Sequence, residues 1–143
     1  MAITTNAICN SFKKELLQGK HDFDTSSDTY KLAMYTSVAT LGASTENYST
    51  TNEVSSPSGY SAGGKALVNQ GVKVSSGVAI TDFADLSFTG VTLTARGALI
   101  YNNSKSNAAI AVLDFGSDFS SSNGTFQIQF PTAAHNTALI RIS

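Results

Sequence analysis

Histidine, cysteine and carboxylate side chains are where this chain would do chemistry, and they are few and scattered. There are two histidines, His21 and His135, and one cysteine, Cys9. A zinc site needs three or four nitrogen, sulfur or oxygen ligands. Here no two histidines stand three or four residues apart, so no metal site is expected. Asp22, Asp24 and Asp28 could suggest calcium, but the full loop pattern, with its glycine and closing glutamate, is missing. They read as solvated loop acids. The run 59–65 (GYSAGGK) superficially resembles a phosphate loop, with the wrong glycine spacing and no helical pattern after it. Asp82, Asp85, Asp114 and Asp118 fall near strand ends, where a carboxylate pair could hydrolyse a glycoside. Acids at strand ends are more commonly turn formers. Nothing local supports a serine nucleophile. No catalytic residue, cofactor or metal is assigned, and the chain is expected not to be an enzyme.

Composition narrows the class further. The chain has 143 residues, 13% of them charged, with a net charge of -1. No basic face is implied, so nucleic acid is not an expected partner. A single cysteine excludes an internal disulfide, and Cys9 is expected to pack as a small apolar residue. The first residues lack the pattern of a signal peptide. No run reaches the ~18 apolar residues that span a bilayer. A soluble protein made in a cytosol, with no membrane partner, is the expectation. The Asn-x-Ser/Thr triplets at Asn47, Asn102 and Asn123 read as chance in such a chain. Serine and threonine supply about a quarter of the residues. Hydroxyls in place of charges suit polar strand faces that can dehydrate at a large protein contact. Tryptophan is absent, which weakens a glycan-binding module as an alternative.

The elements follow from periodicity. Asn6 is a candidate N-cap for a helix over Ala7–Gln18, with Ile8, Phe12 and Leu16 on one face and Gly19 ending it. At three turns this helix must dock on something. Thr29–Thr36 reads as a first strand, and Tyr48–Val54 as a short strand or extended loop. Residues 55–64 are the longest turn-rich stretch. Lys65–Val74 and Val78–Phe83 follow as strands. Val91, Leu93, Ala95, Gly97, Leu99 and Tyr101 alternate with polar residues in one long half-buried strand, and Gly97 marks a bulge or close approach. Ala108–Phe115 is apolar on both faces, as in a central strand. Gly116–Gly124 reads as a serine-rich loop, Phe126–Phe130 as a strand ended by Pro131, and Leu139–Ile142 as the last. Seven or eight short strands point to an all-β sandwich preceded by a short N-terminal α-helix. One domain is expected over 1–143, with a helical segment at 1–19 and the β-sandwich over 29–143.

Six runs, in order, carry a resemblance: 8–23 (ICNSFKKELLQGKHDF), 30–35 (YKLAMY), 48–54 (YSTTNEV), 59–65 (GYSAGGK), 95–102 (ARGALIYN) and 111–116 (AVLDFG). Together they resemble small structural proteins of tailed bacteriophages, some of which are capsid cement, or decoration, proteins. The resemblance implies a jelly-roll-like fold, a place on the outside of the virion head, and the major capsid protein as partner. It also implies homo-oligomers on local symmetry axes, dimers or trimers. Such a protein bridges neighbouring capsid subunits and needs no catalytic group. A tail or fibre component contacting the host surface is the alternative.

Within that frame two segments are candidate gluing elements. Ile8, Phe12 and Leu16 would fill a groove on a partner, or else close one end of the sandwich. The loop would act as a contact arm through Gly59, Tyr60, Gly63 and Gly64, with Tyr60 as anchor, or else be a plain surface loop.

Overall fold

The computed structural model describes Ile3 and residues 6–25, 28–55 and 59–143. The chain is mostly β, with two antiparallel sheets in a sandwich-like arrangement and one short N-terminal helix. In chain order the elements are β1 (Ala7–Ile8), α1 (Asn10–Leu17), β2 (Tyr30–Tyr35), β3 (Lys65–Ala66), β4 (Asn69–Ser75), β5 (Val78–Phe83), β6 (Leu86–Asn102), β7 (Ala108–Ile128) and β8 (Ile140–Ile142). One sheet runs β1-β7-β6-β2-β3 and the other β4-β5-β8.

The helix is shorter than its periodicity predicts. Ala7 and Ile8 pair as a strand with Val112 and Ala111, and the Cys9 N–H donates to the Ile110 carbonyl. Sheet pairing therefore satisfies these backbone groups before the helix begins. Cys9, not Asn6, is the N-cap residue, and its side chain makes no cap bond. The Asn6 side chain accepts from the Asp114 N–H instead. The predicted C-terminus holds. Gly19 has φ of 71°, its N–H donates to Leu16 O, and Lys20 N–H donates to Glu15 O. These two bonds are the paired closures of a Schellman motif.

The longest feature is the β6–β7 hairpin, whose strands run 17 and 21 residues. Its turn places Ser106 and Asn107 at φ of 55° and 57°, the left-handed region that asparagine tolerates. The expected loop at Gly116–Gly124 is strand instead. Between the pairs Gly97↔Asp114 and Ala95↔Phe119, β6 advances two residues while β7 advances five. The turn-forming residues are absorbed as bulges, with Gly116 at φ 83° and Asn123 at φ 48°. The serines pair across the hairpin: Thr94 and Ser120 hydroxyls lie 2.8 Å apart, and Ser121 Oγ donates to Val91 O.

The predicted strand Lys65–Val74 divides because it changes sheets. Lys65 and Ala66 pair with β2, while Asn69 onward pairs with β5. Between Asn47 and Val54 only two isolated bridges form, Asn47↔Ala108 and Tyr35↔Glu53. Gly97 is the close approach its position suggested: a Cβ there would lie 2.5 Å from Leu113 O and 2.8 Å from Ile3 Cδ1.

The core centres on β2, β6 and the first part of β7. Leu32, Ala33, Met34, Leu99, Ile100, Ile110 and Val112 are fully buried. An aromatic column ties the sheets together. Phe23 stacks on Tyr30 at 4.5 Å, and Phe83 of β5 meets Tyr30 at 5.7 Å and Phe130 at 5.8 Å.

Candidate functional site

The residues expected to form a contact arm are fastened to the chain's own core. Residues 56–58 lie outside the described residues. Beyond them, Tyr60 is buried; Met34 N–H donates to its hydroxyl at 2.8 Å, and that hydroxyl donates to Glu53 Oε2 at 2.6 Å. Gly63 N–H donates to the same oxygen, and the Tyr48 hydroxyl to Glu53 Oε1. Tyr101 closes the set by donating to Gly63 O. Burial first, and then the bond to Glu53, push the Tyr60 phenol far above its usual range. Gly64 lies directly against the Leu32 carbonyl, and Gly59 against Gly90 and Val91. Tyr60→Phe is expected to lower stability by about 1–3 kcal/mol, because Met34 N–H and one Glu53 oxygen lose a buried partner. Urea unfolding at constant slope measures it.

The helix face is likewise used internally. Phe12 is buried, 5.2 Å from the His21 ring and 5.9 Å, edge-on, from Phe23. Ile8 and Leu16 are half-buried and pack on the same core. The reading in which this face closes one end of the sandwich is therefore the observed packing. Leu17, one position further, is 92% exposed.

Several titratable groups are also spent on structure. Asn102, which is fully buried, accepts from Ser104 N–H through Oδ1. Its Nδ2 donates to Asp28 Oδ2 at 2.8 Å and to His21 Nδ1 at 2.9 Å. The His21 proton then sits on Nε2, which donates to Glu15 Oε1 at 3.0 Å. Both ring nitrogens are occupied, so His21 offers no lone pair to a metal or a substrate. His135 is exposed in the loop before β8. Asp114 binds Arg96 Nε at 3.3 Å and Gly116 N–H, fixing the large bulge. Asp82 caps Phe83 N–H and Leu139 N–H. Burial pushes the Cys9 thiol up to about 11, aided by Glu15 and only partly opposed by Lys13, so it is protonated at neutral pH. Among the described residues no three His, Cys, Asp or Glu side chains gather as a metal site. No described helix is long and apolar enough to cross a membrane.

These carboxylates set the acid limb of stability. Burial alone would raise Asp28, but bonds from Lys105, Asn102 and the Asp22 N–H outweigh it and hold the carboxyl below its usual range. Glu15 is lowered likewise by Lys20 and His21, against its burial. Both groups stabilise the fold above their unfolded pKa values, about 4, and lose that contribution as pH falls through the lowered folded values. Asp82 runs oppositely: burial and nearby Asp85 raise it despite two N–H bonds, so its protonation favours the folded state. Asp28→Asn is expected to lower stability at pH 7, with the gap to the natural chain narrowing at about pH 3. Unfolding curves at the two pH values check this.

Exposed apolar side chains lie on both sheets. On the β6–β7 hairpin, a groove of about 560 Å³ is lined by Leu113, Phe115, Phe119, Phe126 and Ile128, with Phe119 half-exposed. Phe115 meets Phe119 at 6.4 Å and Phe126 at 6.0 Å. On the other sheet, Val74, Ala79 and Ile142 form one cross-strand row and Val72, Thr81 and Ile140 the next, all on one face. Val74 is 74% exposed, and Val72 and Ile142 each 54%. Sequence alternation places Val72 and Val74 on one face but says nothing of what covers it. Phe119 carried a signal: an aromatic residue between Asp118 and three serines.

No protein-family model, no curated protein and no solved structure matches this chain.

Proposed function

We propose that this is a non-enzymatic structural protein of a tailed-bacteriophage virion, a capsid cement protein on the outer surface of the head that bridges major capsid subunits. One observation carries the reading beyond the ordered resemblance of its motifs. Two apolar surfaces, the hairpin groove and the valine–isoleucine row, stand on different sheets of one scaffold. A bridging protein needs at least two adhesive surfaces held at a fixed separation. Apolar patches of this kind, set among polar residues, mark contacts with other proteins. Low charge and abundant hydroxyls keep the cost of drying a wide contact modest. Each contact can be weak, because linked contacts gain through effective concentration.

The test is binding to purified phage heads that lack the protein. The natural chain is expected to co-sediment with heads to a saturating level. Phe119→Ser and Val74→Asp, both at exposed positions, are expected to weaken uptake by about tenfold each with unfolding midpoints little changed. Heads that take up no protein, or take up both variants as well as the natural chain, would overturn the proposal.

A further inference from the structure

We infer that His21 is an acid-sensitive latch: a second proton on its ring, at Nδ1, releases α1 and the connector through Phe23 from the sandwich, while β1 stays paired. The inference stands apart from the proposed function and needs no partner.

The hydrogen bonds fix which atom reads the proton. Asn102 Oδ1 accepts from Ser104 N–H at 3.0 Å, and Asn102 Nδ2 donates to Asp28 Oδ2 at 2.8 Å and to His21 Nδ1 at 2.9 Å. Turning the amide over would set Nδ2 against the Ser104 N–H and Oδ1 against the Asp28 carboxylate, so its orientation is held from two sides. His21 Nδ1 must therefore accept. A proton there puts two donors face to face, and Asn102 has no second acceptor to offer.

Charge sets the direction. From α1, Glu15 meets the ring at Nε2 and also holds Lys20 of the connector. Lys13 and Lys14 of the same helix are exposed. On the far side of Asn102, Asp28 of the connector pairs at 2.8 Å with Lys105 of the β6–β7 turn. Asp22 is exposed; its N–H donates to Asp28, and its carbonyl accepts from the Tyr30 hydroxyl of β2. The small-sheet residues that share a crevice with His21 carry no titratable group. Two carboxylates and two ammonium groups thus balance around a ring with no exposed surface. A further positive charge meets neither water nor an unpaired acid within the network.

The latch works apart from the acid limb of stability. Glu15 and Asp28 are held below their usual range and stay ionised in mild acid, where histidine is the side chain that changes charge. What it guards is local. Phe12 and Phe23 are buried behind it, and release exposes both rings. β1 is held by backbone pairing to β7 that the network does not touch.

Hydrogen exchange on the full chain tests this, as protection factors at about pH 7.5 and about pH 5.5. Amides of α1 and of residues 19–23 are expected to lose protection about tenfold at the lower pH, the scale of one buried bond lost, while those of β2 and β6 keep theirs. His21→Gln is expected to remove the pH dependence, and His135→Gln, at an exposed position, to retain it. Should His21→Gln fail to fold, nitrogen NMR reads the ring in the natural chain: Nδ1 is expected to be bare in the docked segment and protonated only in the opened one. Equal protection at both pH values, a pH dependence that survives His21→Gln or disappears with His135→Gln, or a doubly protonated ring in a docked segment would overturn the inference.

Discussion

Gly64→Ala is expected to cost about 3–5 kcal/mol, a large part of the stability that a domain of this size has. Gly64 sits at φ 77°, where a Cβ is strained, and that Cβ would fall within 1.8 Å of the Leu32 carbonyl oxygen. The obstacle is backbone, in the middle of the most buried strand, so it cannot swing aside. Relief would have to separate β3 from β2, which pair at Leu32↔Lys65 immediately beyond the glycine. The control is Gly19→Ala. Gly19 has a similar φ of 71° but nothing within 4 Å of its Cβ position, so it pays the conformational term alone, about 1–2 kcal/mol. Urea midpoints of the two variants, compared at equal slope, separate the clash from the strain. Equal losses would mean that the loop at 59–64 is not pressed against β2.

Phe12→Ala is expected to cost about 3–5 kcal/mol. The ring is 1% exposed and joins α1 to the column that runs through His21, Phe23, Tyr30 and Phe83. Removing it opens a cavity where helix and both sheets meet. Leu17→Ser, on the same helix at 92% exposure, is expected to change stability by no more than about 0.5 kcal/mol. Thermal unfolding distinguishes the two. If Phe12 instead anchored a partner, its loss would leave the melting temperature unchanged and abolish binding. The same packing makes deletion of residues 1–19 a poor probe of contacts, because it removes a paired strand and a buried ring together.

The parts of the fold that were legible in the sequence are those where one face is buried and the other is not. Val91 to Tyr101 alternate, and β6 is there; the strand expected over Thr29–Thr36 is β2, Tyr30–Tyr35, one residue shorter at each end. Gly19 signalled a helix end because a left-handed residue is the commonest way to stop a helix. The errors have a shared cause. Asn6, Gly116, Asn123 and the serines between them have strong local preferences for caps and turns, and tertiary partners redirected them. Asn6 receives Asp114 N–H, and the glycine and asparagine become bulges within a continuous strand.

The candidate site was less legible for a different reason. Phe12 and Tyr60 look like exposed anchors in one dimension, since a short amphipathic helix and a glycine-rich loop both suggest binding. Whether such a residue faces a partner or its own core depends on contacts distant in sequence, such as Glu53 to Tyr60 or Phe12 to Phe23. The surfaces that are open, Phe119 with its groove and Val72, Val74 and Ile142, combine residues whose shared face appears only once the register across β4, β5 and β8 is known.

The most direct test of the central claim is the copy number of this chain in purified virions, measured by quantitative mass spectrometry against the major capsid protein. A simple ratio commensurate with the capsid subunit is the predicted result. A handful of copies would contradict the head position and place the chain in the tail or its fibres, and absence from the particle would contradict a structural role altogether.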